Sequence, residues 1–444
     1  MTGLTETRRA LAAEAKARRR IGWFVFALVL AILPLTASSF GLTVLTQICI
    51  AAVFALAYNM LLGQAGMLSF GHAIYFGLGG YLSIHLMRWV DAGLPVPLVL
   101  TPLFGGLFGL LIGLAVGSFS TRRAGTVFAM ISVGIVELVA SLALVLVGFF
   151  GGEEGMSADR TVGPSFFGYS LIRQIEVYYL AAAWFFLATF AMYFFSRTPA
   201  GRMANAVRDN PERVEFVGYS QRHVRLVSFA ASGFFAGLAG GMFAIQYEIV
   251  TDTTLNAAAS GAVLLQAYVG GVGFFVGPIV GAVLMTLLST VVSGLTDLWL
   301  LYIGILFIAT VLLAPSGLTG LVMMHQPAWR AGRMRRLAGP YLLASGPLAA
   351  LVVGVIGLLE MASHRDRAAI GDDAVTLFFL QLDTASWWPW LGFSMMALAG
   401  GAGLRAVWPR LREAWDEANG PLPAAPAAGR RESGEQPKVA GATE

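Results

Sequence analysis

The sequence predicts an all-α polytopic membrane protein, with about ten membrane segments in its core and two more in a C-terminal extension. Three observations carry this. Of 444 residues, 57% are hydrophobic and only 12% charged, about half the charged share of a soluble domain, roughly 25%. Apolar runs recur at close to 20 residues, the length a helix needs to cross about 30 Å of hydrocarbon. Strand-period alternation is absent, and a helix satisfies every backbone group internally where no water is present.

Taken in order, the apolar segments lie at about Ile21–Ser38, Thr43–Leu62, His72–Arg88, Pro97–Ser118, Thr126–Phe150, Tyr178–Phe195 and Leu226–Tyr247. A short glycine-interrupted piece, Ala258–Val269, precedes Phe275–Ser293 and Trp299–Ala314. Pro340–Glu360 and Ser386–Leu404 follow. The division expected is a basic cytoplasmic N-terminus (1–20), a transmembrane core (21–325), an extension with two helices (326–418) and a disordered, cytoplasmic tail (419–444) rich in Pro, Ala, Gly and charge. Arg8 to Arg20 followed by Ile21–Leu33 has the layout of a signal peptide, but the apolar run continues past Pro34 and a retained first helix is expected.

Orientation follows from arginine and lysine. With both termini cytoplasmic, 24 of 29 fall on the cytoplasmic side, leaving Arg88, Arg160, Arg173, Arg365 and Arg367 outside. The same bias accounts for the net charge of +4 without nucleic acid. The lone cysteine, Cys49, excludes an intrachain disulfide and says nothing of redox compartment. Lys16 and Lys438 are the only lysines, so no Gly-x-x-x-x-Gly-Lys-Ser/Thr phosphate loop exists. Motifs for zinc hydrolysis, prenyl transfer and dithiol chemistry are absent. No catalytic residue and no metal site is expected.

Between Arg197 and Arg225, Thr198-Pro199 and then Asn210-Pro211 each read as a helix N-cap followed by proline at the first helical position, with Gly218 as a terminator. Two short helices then carry Arg202, Arg208, Asp209, Glu212, Arg213 and Glu215, interleaved with Val214, Phe216 and Val217. Charge alone fits a loop that only sets topology; the mixed apolar and charged surface also fits a knob that receives force.

Gly66 to Tyr81, Arg197 to Asn210 with Gly218, Gly270 to Ala282 and Ala314 to Leu321 are four ordered stretches that together resemble branched-chain amino-acid ABC permeases of the LivM type. Gly66-Met-Leu-Ser-Phe-Gly-His72-Ala-Ile-Tyr-Phe-Gly-Leu-Gly-Gly-Tyr81 is similar to the family's G-x-L-S-x-G-H-A-x-F-x-G-x-G-A-Y signature. Arg197 to Asn210, then Gly218, looks like the cytoplasmic coupling loop. Gly270 to Ala282 resembles G-G-x-G-x-x-x-G-P-x-x-G-A, and Ala314 to Leu321 the P-x-G-L-x-G end of the core. The resemblance covers about Ile21 to Val322. Gly80 departs from the usual alanine and Pro211 from an acidic residue, and the two-helix extension is unusual for the family.

The resemblance implies alternating access at a pair of permease subunits, the second of LivH type, with cytoplasmic ABC ATPases and a periplasmic binding protein as partners. It also implies an inner-membrane location and branched-chain amino acids or related solutes as cargo. ATP and magnesium would sit on the ATPase, and no cofactor on this chain. Arg197, Gly201, Arg202, Arg208, Asp209, Asn210, Glu212 and Gly218 become the ATPase-coupling residues. Asn59, Gln64, Ser69, His72, Glu137 and Gln266 are candidates for the path or gate, since polar groups at membrane depth face a cavity or a neighbour. For His72 and its glycine-rich surroundings, path lining and tight packing through small residues both fit.

Glu137, near the middle of its segment, invites a pairing with His72 or Arg122 and a structural or gating role. Gly66, Gly71, Gly277, Pro278 and Gly281 are packing or hinge positions. Gln246, Glu248, Asp252 and Asn256, with Glu153, Glu154 and Asp159, fit a binding-protein surface or a plain solvated loop. A stand-alone carrier is the rival; it calls for internal repeats and several midplane carboxylates, and one such carboxylate is present.

Overall fold

The computed structural model describes residues 2–164, 170–367, 374–378 and 380–419. Asp372, Asp373 and the tail beyond Asn419 lie outside them. The chain divides into two compact units, Met1–Met323 and Met324–Glu444.

The described part of the first unit is built mainly of helices: α1 (Thr2–Ile32), α2 (Ser39–Asn59), α3 (Ala73–Asp91), α4 (Thr101–Ser120), α5 (Thr126–Val145), the single turn α6 (Val147–Phe150), α7 (Gln174–Phe195), α8 (Pro199–Asp209), α9 (Pro211–Phe216), α10 (Gln221–Tyr247), α11 (Ala257–Gly270), α12 (Gly277–Thr290), α13 (Trp299–Leu313) and α14 (Gly317–Met324). Among the described residues of the whole chain, nine helices are long and apolar enough to cross a membrane, or ten if the bent pair beginning at Trp299 is one span. All twelve expected segments form helices, and the all-α polytopic class holds. A two-stranded ribbon, β1 (Met156–Ser157) with β2 (Ile249–Val250), is added to it.

The expected span at His72–Arg88 forms α3 but is not among the nine. Arg88, Asp91 and a run of glycines lower its apolarity, and it does not face lipid: α3 is buried along nearly its whole length against α4 and α10. The contact is glycine on glycine. A Cβ on Gly79 would come within 2.5 Å of the Gly237 Cα, and one on Gly105 within 2.6 Å of the Gly237 carbonyl oxygen. Helices approach this closely in a membrane through small residues, because packing, rather than escape from water, drives association there. Around this crossing, α2 is enclosed by α7, α10, α11 and α12, and its Val53, Ala55, Leu56, Ala57 and Tyr58 form the centre of the core.

The second unit holds α15 (Gln326–Arg330), α16 (Met334–Arg367), a ribbon of β3 (Ala374–Leu377) with β4 (Leu380–Asp383), and α17 (Trp387–Asn419). Both long helices outrun their apolar stretches. Gly354 and Gly357 of α16 meet Ala397 and Phe393 of α17, while Gly400 meets Leu351. Trp390 Nε1 and the Arg365 guanidinium both donate to the Thr384 carbonyl. The unit closes on itself.

Candidate functional site

The site begins where α2 stops being a regular helix. From Met60 to Gln64 the chain widens into one π-helical turn, a form concentrated at functional positions, and then runs without helix until Ala73. Serines and a tyrosine pin this stretch. Tyr58 donates to the Ser69 carbonyl (3.0 Å), the Phe70 amide to Ser132 Oγ (2.9 Å) and the Ala73 amide to Ser260 Oγ (3.0 Å). Gly71 sits so close to the Ser132 carbonyl that a Cβ would come within 2.5 Å; here packing accounts for the glycine.

His72 is fully buried. Its ring lies nearly parallel to Phe54 (centroids 5.7 Å apart), edge-on to Tyr58 and beside Tyr75. Ser232 Oγ donates to the Ala57 carbonyl (2.6 Å), so its lone pairs face His72 Nε2 at 3.3 Å. That assigns the proton to Nε2 and leaves Nδ1 an acceptor. Asn59 Oδ1, Gln64 Oε1, Gln266 Oε1 and His72 Nδ1 are all buried acceptors that no donor among the described residues reaches. Such acceptors are unusual, since nearly all buried polar atoms are paired.

On the far side of Phe54 is an open cavity of about 270 Å³. Phe54, Phe76, Phe243 and Tyr247 form one wall, stepping at 4.5, 5.4 and 4.3 Å between ring centroids. Gln47, Gln266, Thr286, Ser289 and Thr290 supply the polar lining, with Thr290 donating to Gln47 (3.0 Å). Among the described residues, no acidic or basic side chain lines it. Of the predicted path residues, Gln266 is on the cavity and His72 is one aromatic ring away from it, while Asn59 ends α2, Gln64 lies in the π turn and Ser69 in the helix-free stretch beyond it. The sequence reading missed Gln47, Phe54 and Thr290; an isolated glutamine eight residues into an apolar helix was the available signal for the first.

At the opposite end of α2 stands the loop. Both helices form as the caps predict: Thr198 Oγ accepts from the Gly201 amide (3.3 Å) and Asn210 Oδ1 from the Arg213 amide (3.1 Å). Gly201, Ala204, Val207 and Val214 are buried, which seats the pair against α10. Arg197 stacks over Tyr193 at 4.5 Å. Arg202, Glu212 and Gly218 are exposed, and so are Phe216 (90%) and Val217 (71%). The guanidinium of Arg208 pairs with Asp209 (2.9 Å) and also donates to the Gly63 carbonyl inside the π turn. Gly66 has φ of +67°, and a Cβ there would meet Arg208 Cγ at 2.7 Å. The loop thus holds the broken end of the helix whose other half, Gln47 to Phe54, lines the cavity. Arg222 donates to the Ser118 carbonyl (3.2 Å), drawing the end of α4, next to Arg122 and Arg123, to the same side.

Other predicted residues fall elsewhere. Gly277 and Gly281 belong to the crossing of α12 with α11, where a Cβ on either would overlap the carbonyl of Gly271 or Gln266, and Pro278 opens α12; packing suffices to explain them. Glu137 meets neither His72 nor Arg122. It is exposed on α5, while Arg122 donates to the Ser118 carbonyl. At the end of the bundle opposite the loop, β1–β2 pairing brings the Glu153–Asp159 segment to Glu248, whose carboxylate accepts from the Arg160 amide (2.9 Å). Hydrogen bonds from Thr161 hold the Asp159 carboxyl below its usual range. Asn256 is the N-cap of α11.

A family model described as "Branched-chain amino acid transport system / permease component" matches residues 40–311. The high-affinity branched-chain amino acid transport system permease protein LivM of Escherichia coli K12 is 26% identical over 320 residues, covering 67% of this chain and 74% of that protein. A probable branched-chain amino acid transport permease protein LivH of Methanocaldococcus jannaschii is 24% identical over 267 residues, 57% of this chain and 82% of its own. The autoinducer 2 import system permease protein LsrC of Escherichia coli O9:H4 is 29% identical over 227 residues, 48% of this chain and 60% of its own. No solved structure matches.

Proposed function

This chain belongs to the family of branched-chain amino acid transport system permease components, and on that premise we propose that it is the membrane subunit of an ATP-driven importer. It is a multi-pass membrane protein, and its relatives are transport permeases rather than enzymes. The cargo in this reading is a branched-chain amino acid or a related small organic solute, in keeping with the systems named for its relatives, autoinducer 2 import included. A cavity with polar and aromatic walls and no ionic side chain suits a solute of zero net charge.

The observation that carries the ATP-driven part is the Arg208–Gly63 bond. A separate cytoplasmic ATPase, holding ATP and magnesium, would push on the knob presented by Phe216, Val217 and the loop arginines. The loop grips α2 at Gly63, about nine residues or roughly 14 Å of helix from Phe54. Displacement at one end is therefore delivered to the cavity wall at the other. In this reading the loop and both termini are cytoplasmic, the membrane is the inner one, and the cavity opens outward. A periplasmic binding protein delivers solute there, near Glu153, Glu154 and Asp159, and a second permease subunit completes the path.

The test is uptake of L-leucine into proteoliposomes carrying the chain purified with its native partners. ATP-dependent uptake that disappears when the ATPase is omitted supports the proposal. Uptake by the isolated chain, driven by an ion gradient and indifferent to ATP, overturns it in favour of a stand-alone carrier.

A further inference from the structure

Three of the helices that wall the cavity carry their lining faces beyond it. α2 lines the cavity with Gln47, Ile50, Ala51 and Phe54, spaced three and four apart on one face. The next positions of that face are Ala57 and Tyr58. α3 contributes Phe76, and its N-cap residue His72 lies one turn earlier on the same face. α10 contributes Phe243 and Tyr247, and about three turns before Phe243 the same face carries Ser232. These continuations meet. The Tyr58 ring stands edge-on to His72 at 5.3 Å, and Ser232 Oγ touches both His72 Nε2 and the Ala57 carbonyl.

Only Phe54 separates the two places on the α2 side. Its ring lies parallel to His72 at 5.7 Å and stacks on Phe76 at 4.5 Å. The walls around it differ in freedom. A Cβ on Gly240 of α10 would overlap the Phe76 carbonyl, so α3 and α10 are locked backbone to backbone. α2 gives way to a π turn at Met60, less than two turns past Phe54, and Arg208 grips that turn at Gly63. Packing alone explains a buried histidine whose two nitrogens are both paired; His72 Nδ1 has no donor among the described residues.

We propose that Phe54 is a gate, and that behind it lies a second solute station in which His72 Nδ1 accepts a hydrogen bond from the solute's amino group. The faces of Tyr58 and Tyr75, whose rings lie 5.3 and 5.6 Å from the imidazole, suit an ammonium there. The inference rests on the importer reading of the cavity and deepens it. Solute waits in the outer cavity, and movement of α2 turns Phe54 aside and passes the amino group to His72.

Thiol labelling of the full chain in native membranes tests the gate without transport. In a Cys49→Ala background, Thr290→Cys reports on the cavity and Ser232→Cys on the station. The reagent 2-aminoethyl methanethiosulfonate should modify the first and spare the second while Phe54 is present. Adding Phe54→Ala should make Ser232→Cys react at a rate close to that of Thr290→Cys. Reaction of Ser232→Cys with Phe54 in place, or its continued protection in the Phe54→Ala chain, overturns the gate.

Uptake of L-leucine by the assembled complex tests the acceptor. His72→Asn keeps an oxygen near the Nδ1 position and loses the donor to Ser232. His72→Gln keeps a donor near the Nε2 position and loses the Nδ1 acceptor. His72→Gln should lower the maximal rate roughly 5- to 150-fold, the effect of one donor left unpaired in a buried site, and His72→Asn should lower it less. The reverse order makes His72 a packing residue and overturns the station. A wild-type complex that takes up no L-leucine counts against the importer reading, and the labelling then decides the gate by itself.

Discussion

Gly66 adopts a left-handed backbone against the stem of an arginine that arrives from 142 positions later in the chain. Two consequences follow for single residues. A side chain at position 66 meets strain of about 1–2 kcal/mol from the backbone alone and also displaces Arg208. Gly66→Ala should therefore insert normally yet slow L-leucine uptake, with ATP hydrolysis per solute rising. Arg208→Glu should do the same more strongly, since it removes the donor to Gly63 and repels Asp209. Gly218, at φ of +88°, cannot be replaced by proline, whose ring holds φ near −65°, without rebuilding the turn after α9; uncoupling is expected there as well. Wild-type ratios of hydrolysis to uptake in all three variants would remove the coupling role assigned to the loop.

At the scale of the element, the close crossing of α3, α4 and α10 gives a sharp contrast between glycines. Gly237→Ala forces a methyl into the backbones of Gly105 and Gly109, and overpacking of this kind costs on the order of 1–3 kcal/mol. Gly304→Ala in α13 meets nothing within 4 Å and should be neutral or slightly stabilising, given alanine's helix propensity. Thermal unfolding of the purified complex should separate the two. Helix ends were legible in the sequence because Thr198-Pro199 and Asn210-Pro211 state their own caps, and because arginines mark where membrane stops. The facing of buried helices was not. α2 is apolar on every side, so its periodicity carries no direction, and nothing local says that Phe54 divides a cavity from His72. Glu137 misled for the same reason: a lone carboxylate in an apolar helix announces depth but not azimuth.

For the whole molecule, the second unit is held by its own contacts, Gly354 and Gly400 against the partner helix of the hairpin and Ala328, Leu337 and Ala418 in a small cluster of their own. Every described residue that lines the cavity or grips α2 belongs to the first unit. Truncation after Gln326 should therefore leave the ranking of competing solutes in an uptake assay unchanged, with at most a lower yield of assembled complex. A truncated, fully assembled complex with a different ranking would contradict this. The glycine crossing also sets a schedule. Gly105 leaves the ribosome roughly 130 residues before Gly237, which at about 5–20 residues per second is on the order of 7–26 s. For that interval α3 and α4 wait in the membrane with their glycine seams open, and any early helix with small residues can occupy the place kept for α10. Slowing synthesis between Thr126 and Gln221 should thus lengthen the exposure and raise the misassembled fraction, whereas slowing it after Tyr247 should not.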